Sequence, residues 1–323
     1  MSSALAKRES NLPALFTLAD RAEEYAENSK AKNTRRAYAS DLRDFATFCD
    51  AQGECALPAS PQITALYLTD LASRASTATI GRRMVAIAQA HKLAGLPNPI
   101  ADPHVREISK GIRRTKGTAQ HKKAALTGDR LPEVLAQIDA STLKGKRDTA
   151  LLLLTFALAG RRSEVAALNY EDIAASGQGL TVTIRKSKTD QAGAGREIGV
   201  PFTASKLCSV EALGEWLNAS GIKEGALFRT FDGGGNLTAN RIDPVDVARL
   251  VKRVTAAAGL KGDFSGHSLR SGFITTAANT KDVSEVDIQN VSGHRSVQIL
   301  RGYVRRANVF TNSPLAAMFG GAA

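Results

Sequence analysis

Between Arg113 and Lys123 the apolar periodicity of the preceding residues stops, and five cations (Arg113, Arg114, Lys116, Lys122 and Lys123) stand among Gly, Thr and Ala with little to bury. Before this stretch apolar residues recur at helical spacing; after it, helical patterns mix with a two-residue alternation. A chain interrupted in this way folds around two cores rather than one. Its 323 residues, 43% of them hydrophobic, supply enough apolar material for both. The stretch itself reads as an interdomain linker crossing phosphates or as a solvated basic connection.

Residues 1–13 lack periodicity and read as a mobile tail, and helical patterns begin at 15–27. Thr34 is placed to cap the next helix. In it Tyr38, Leu42, Phe45 and Cys49 share an apolar face, while Lys32, Arg36 and Arg43 project from the other side. Further helices fit 62–72, 76–93 and 103–114. In the second of these Ile80, Met84, Ile87 and His91 face inward and Thr79, Arg82, Ala86 and Gln89 outward, with Arg83 beside them. Long donors among small residues suit a helix lying in a DNA major groove; the plain alternative is a solvated face.

Beyond Leu126, helices fit 128–138 and 147–158. Alternating Leu180, Val182 and Ile184, then a break at 191–195, then Ile198 and Val200 predict a hairpin. Helical patterns return at 205–217, 244–258, 268–278 and 283–291. The expected class is mainly α with a small antiparallel β-sheet.

The 43 Lys and Arg against 31 Asp and Glu give a net charge of +12, with both halves basic, as a DNA clamp requires and as solubility alone also allows. The odd set Cys49, Cys55 and Cys208 lacks metal-ligand spacing and reads as structural thiols in a reducing cytoplasm. The longest apolar stretch, 150–160, is too short to cross a bilayer, and no leader pattern opens the chain.

The chemistry-bearing residues are scattered. Arg161 closes a strongly apolar helix, and Glu164 three residues on is placed to pair with it and fix the guanidinium for phosphate; an ordinary helix-end Arg satisfying carbonyls is the alternative. Lys188 lies where a strand enters the hairpin turn and, taken alone, reads as a solubility charge. His267 and Arg270, three apart on a helix, share a face and reach one phosphate, although a surface His beside an Arg is common. Gly293-His294 ends a helix. Tyr303, flanked by Arg301, Arg305 and Arg306, is unusual as core packing and suits chemistry or stacking on DNA or a neighbouring subunit.

In this order, Arg161-x-x-Glu164, a hairpin Lys188, His267-x-x-Arg270, Gly293-His294 and Tyr303 nine residues later resemble the tyrosine recombinase and integrase family. The run Gly266-His267-Ser268-Leu269-Arg270-Ser271-Gly272 looks most like its Cre-like phage and plasmid branch. The resemblance spans about residues 14–313. It implies a helical core-binding domain over 14–115, a basic linker over 116–126 that includes Lys122 and Lys123, and an α+β catalytic domain over 127–313. The apolar segment 314–323 would dock on a neighbour or fold back on its own domain.

A phosphodiester resists attack because its anionic oxygens repel a nucleophile and its alkoxide leaves poorly. Arg161 and Arg270 would clamp the nonbridging oxygens, each with a planar fork of donors that stays charged. Tyr303 would attack phosphorus; a phenol titrates ordinarily near ~10 and needs an acceptor for its proton. The resemblance assigns that acceptor to His267, the general acid to Lys188 and a hydrogen bond on a nonbridging oxygen to His294. It implies a 3′-phosphotyrosyl intermediate with no cofactor or metal. It also implies double-stranded DNA carrying specific sites as partner, a homotetramer on paired sites, room for an accessory protein, and a cytoplasmic, nucleoid-associated location without membrane contact. Three rivals stand beside it: a DNA binder that does not cut, which would show a damaged nucleophile; a metal-dependent nuclease, which needs clustered carboxylates; and a relaxing topoisomerase with the same tyrosine chemistry.

Overall fold

The structure is a computed structural model that describes residues 32–118, 123–186 and 195–294, together with Gln298, Arg301, Gly302 and Met318. The expected helix at 15–27, Lys122, Lys188, Tyr303 and, Met318 apart, the segment 314–323 lie outside the described residues. The chain divides into two compact units, residues 1–121 and 122–323.

In the first unit four helices, α1 (Lys32–Ala51), α2 (Pro61–Arg74), α3 (Thr77–Leu93) and α4 (Pro103–Lys116), pack their apolar stripes together. Phe45, Cys49, Ile63, Tyr67, Leu68, Leu71, Ile80, Ile87 and Val105 form the core. Ser60, Ser76 and Asp102 cap α2, α3 and α4 by accepting backbone N–H groups of the first turn, and Pro61 and Pro103 occupy first-turn positions where no N–H is needed. His91 is buried and satisfied: its Nε2 accepts the Ala59 N–H at 2.9 Å, and its Nδ1 lies 2.9 Å from the Ile87 carbonyl. Two expectations fail here. Thr34 lies inside α1 rather than at its cap. Ala86 is fully buried rather than on the outer face of α3, because the core stripe of that helix is wider than the four residues assigned to it.

The second unit is built on α6 (Leu143–Ala157), which follows the short α5 (Leu131–Leu135). Ala150 to Leu154 are all buried, so α6 is covered on every side. Against it lie α8 (Ser209–Ser220), α9 (Pro244–Ala257) and α10 (Ser268–Ala278), and the fully buried Trp216 of α8 donates its indole N–H to the Leu227 carbonyl at 2.9 Å. The short α7 (Arg162–Ala167) precedes a three-stranded antiparallel sheet, β1 (Ile173–Ser176), β2 (Gly179–Ile184) and β3 (Arg196–Pro201), in that order. The predicted hairpin is β2–β3, with Leu180 opposite Val200 and Val182 opposite Ile198. Strand β1 and a second pair, β4 (Arg229–Phe231) and β5 (Leu237–Arg241), have too little alternation to be read beforehand. Helix α11 (Glu285–Ser292) follows α10. The class is mainly helical with small antiparallel sheets, and no helix among the described residues is long and apolar enough to cross a membrane.

Candidate active site

Helix α6 ends at Ala157, so Arg161 does not close it; Arg161 is the N-cap of α7 after a sharp turn. Ala159 takes a left-handed φ of 44°, and a Cβ on Gly160 would come within 2.6 Å of the Val165 side chain, so only glycine fits. Glu164, at the third position of α7, reaches back to accept the Arg161 N–H at 3.1 Å and also binds the Arg161 guanidinium. Its carboxylate is buried, its side chain being 2% exposed. The pairing expected from the Arg-x-x-Glu spacing is therefore present.

Arg270 sits on the face of α10 turned toward the end of α6 and is 1% exposed. Close packing puts it there: a Cβ on Gly272 would lie 1.7 Å from the Leu126 carbonyl oxygen, and the Leu126 N–H donates to the Ser268 carbonyl at 2.9 Å. Arg270 donates Nη1 to the Ala159 carbonyl at 2.6 Å, so the strained turn before Arg161 also fixes the second arginine. Its Nη2 lies 3.2 and 3.0 Å from Nδ1 and Nε2 of His294. Both contacts fix the direction in which the guanidinium points.

His294 follows Gly293, whose left-handed φ of 63° terminates α11. Its carbonyl accepts from Gln289 Nε2 at 2.8 Å, and its Nδ1 lies 2.8 Å from Ser292 Oγ. Burial first, then the charges of Arg270 and Arg161, hold the imidazole down at about 4, so it is neutral near pH 7. His267 is the N-cap of α10 and is exposed, its N–H donating to Ser265 Oγ at 3.3 Å; it shares no buried face with Arg270. A proton on His267 would nonetheless act on His294, lowering its pKa further.

Arg161, Arg270 and His294, from three separate helix ends, thus lie near enough for both arginines to act on the imidazole, with Glu164 holding Arg161. A fourth group, Arg196 at the start of β3, was missed by the sequence reading. Its Nη2 lies 3.5 Å from the second oxygen of Glu164. The signal was available: Arg196, Ile198 and Val200 alternate on one face of β3, and that face is the buried one. Among the described residues no group of three or more His, Cys, Asp or Glu is disposed to hold a metal ion.

In the first unit Arg36, Arg43, Arg113 and Arg114 are exposed, Lys32 begins α1, and Gln89 is half-buried. Lys123, in the second unit, pairs with Asp263. Arg82 is largely exposed and 3.1 Å from the buried Asp41. Arg83 turns inward: it is held by Asp44 and donates to the Tyr67 hydroxyl at 2.8 Å, with 15% of its side chain exposed. Although burial pushes it up, hydrogen bonds from Arg74, Tyr67 and Arg83 hold the Asp44 carboxyl at about 2.

Residues 124–308 match the model of the phage integrase family. An integrase/recombinase xerD homolog of Selenomonas ruminantium is 38% identical over 298 residues, 91% of this chain and 87% of the relative. A tyrosine recombinase of Synechocystis sp. is 26% identical over 87% of this chain and 88% of its own. Among solved structures, lambda integrase bound to DNA superposes with a TM-score of 0.62 at 18% identity, over 90% of this chain and 96% of that one. XerH recombinase bound to its difH substrate gives 0.59 at 19%, over 80% and 71%. The family match, the near-full-length relative and the shared fold agree: this chain belongs to the phage integrase family of tyrosine recombinases.

Proposed function

We propose that this enzyme is a site-specific DNA recombinase that exchanges strands through a 3′-phosphotyrosyl intermediate. The observation that carries the reading is the convergence of Arg161, Arg270 and His294 on one pocket, with Arg161 fixed by Glu164 and Arg270 by Ala159. The two guanidiniums bind the nonbridging oxygens of the scissile phosphate and His294 donates to one of them. Tyr303 Oη attacks phosphorus and passes its proton to His267. The bond to the 5′ oxygen breaks as Lys188 protonates that oxygen. The phosphotyrosyl ester preserves the energy of the broken bond, so a 5′ hydroxyl from a second strand reverses the step without ATP or metal. The 266–272 run supports placement near the Cre-like branch. Arg36, Arg43, Arg82, Arg113, Arg114 and the lysines Lys32, Lys122 and Lys123 contribute the positive charge that follows the DNA backbone, and Gln89 contributes a neutral donor toward a groove.

The active assembly is proposed as a tetramer on paired sites. An apolar groove of about 290 Å³ between α10 and α11, lined by Phe156, Phe273, Ala277, Val283, Ile288 and Val291, is the proposed seat for the C-terminal segment of a neighbouring copy. Met318 of that segment is 69% exposed in the isolated chain. The decisive assay for the chemistry uses nicked suicide DNA in EDTA. The parent enzyme is expected to form a covalent adduct and Tyr303→Phe none; an adduct with Tyr303→Phe would overturn the assignment.

A further inference from the structure

We infer that Arg196 is a positioning residue of the strand-transfer site, locking Glu164 from the side opposite Arg161. The inference rests on the function proposed above. It begins with strand phase. Arg196 pairs with Ile184 across the β2–β3 ladder, and paired residues project to the same side of a sheet. Ile184 is 3% exposed, and Ile198 and Val200 on the same face of β3 are 3% and 4% exposed, so the register sends Arg196 inward. A solubility charge at the base of a hairpin would sit on the other phase.

Inside, the guanidinium lies between two parts of the site. On one side is Glu164, whose Oε1 binds Arg161 and whose Oε2 faces Arg196. On the other is Gly293, where an added Cβ would fall 1.4 Å from Nη1 and 2.7 Å from Cζ. Gly293 suits its left-handed backbone, and the guanidinium lies directly against it. Arg196 Nε is buried without a hydrogen-bond partner. Burial pushes the guanidinium's pKa below its ordinary value, with Glu164 opposing and Arg161 adding to the shift. An arginine kept in so incompletely satisfied a place is poorly explained by stability.

Geometry gives it a task. Ile184 and Arg196 close the ladder, and the sequence between them carries Lys188. Arg196 joins that end of the ladder to the carboxylate that orients Arg161 and to the turn that presents His294. With one arginine on each oxygen, Glu164 has a single orientation, and so has the Arg161 fork. Displacing a phosphate-binding group by about 1 Å costs on the order of 100-fold in rate.

The test measures single-turnover adduct formation on nicked suicide DNA at saturating enzyme, with DNA affinity measured separately in the Tyr303→Phe background. Arg196→Gln is expected to slow adduct formation about 100-fold while affinity stays within about threefold. Arg196→Lys, which keeps the charge but loses the fork, stays at least about 10-fold slow. The Arg196→Gln, Glu164→Gln double variant is no slower than the slower single variant, because both remove one arrangement. Multiplying effects, a rate for Arg196→Gln within about threefold of the parent, or lowered melting temperature with an unchanged rate would each overturn the inference. Should Arg196→Gln not fold, Arg196→Lys decides by the same rate criterion. Arg161→Ala separates the two readings. If it too leaves the rate intact, the proposed site falls; if it abolishes cleavage while Arg196→Gln does not slow it, only the role of Arg196 falls.

Discussion

Replacing Glu164 with glutamine removes the carboxylate between Arg161 and Arg196 while preserving shape. The magnitude follows from its setting. The side chain is 2% exposed and serves the Arg161 N–H at 3.1 Å, the Arg161 guanidinium and, at 3.5 Å, Arg196. Removing one partner of a buried ion pair costs roughly 3–5 kcal/mol, because the other charge is left desolvated. Glutamine still accepts one N–H, which places the expected cost at the lower end, about 3 kcal/mol. For a unit of roughly 200 residues each kcal/mol moves the melting temperature by about 2–4 °C, so a fall of about 6–12 °C is expected by circular dichroism. Cleavage and affinity should part company. Arg161 loses its anchor and adduct formation slows on the order of 100-fold, whereas DNA binding does not weaken, since a negative charge has left a phosphate-binding pocket. A melting temperature within about 2 °C of the parent, together with a rate within about threefold, would refute the reasoning.

Three further outcomes are expected. His294 sits at about 4, below its unfolded value near ~6.5, so its contribution to stability is complete above pH ~6.5 and is lost as pH falls toward 4; melting between pH 7.5 and 5 should show this loss in the parent and less of it in His294→Asn. Arg83→Ala should destabilise the first unit more than Arg82→Ala, because it strips Asp44 and the Tyr67 hydroxyl of a partly buried partner, whereas Arg82→Ala removes an exposed partner of Asp41 and should chiefly weaken DNA binding; melting and filter-binding measurements separate the two, and equal effects of both variants in both assays would contradict their different burial. Deleting 314–323 should abolish synapsis on paired sites while leaving single-site binding intact, read by native gel; unchanged assembly would remove the groove between α10 and α11 as its seat.

Much of this was legible from residue order because the family's chemistry is carried by short local signatures. Arg-x-x-Glu is a helix-cap spacing, and α7 realises it with Glu164 reaching back to the Arg161 N–H. The β2–β3 hairpin was legible because Leu180, Val182 and Ile184 alternate. What stayed hidden depends on approach in three dimensions. The end of α6 was read to within one residue, but Arg161 was assigned to that helix because Leu158 and Ala159 continue an apolar run, while the left-handed turn at Ala159 is fixed by its neighbours and has no compositional mark. Arg83 looked like its neighbour Arg82, and only the packing of α3 on α1 and α2 turns one inward to Asp44 and leaves the other outside. Arg196 required the ladder register, which no residue type announces.

With Glu164 and the Ala159 carbonyl as partners of its cations, the site carries more positive than negative charge. Among the described residues it holds Arg161, Arg196 and Arg270 against the single carboxylate of Glu164, with His294 kept neutral near pH 7. Such an excess of positive charge in a half-buried place destabilises the free enzyme, which is the opposite of what core packing selects. In the proposed reaction the bound phosphodiester brings one negative charge and the pentacoordinate transition state brings two. The field therefore suits the transition state better than the ground state, the condition for accelerating the step rather than merely binding DNA. The same field lowers the proton affinity of His294 in the free enzyme and must raise it as charge accumulates on phosphorus. Burial first, and then the two arginines, keep His294 neutral in the free enzyme, and in the proposed reaction the charge gathering on the oxygen beside it opposes both effects.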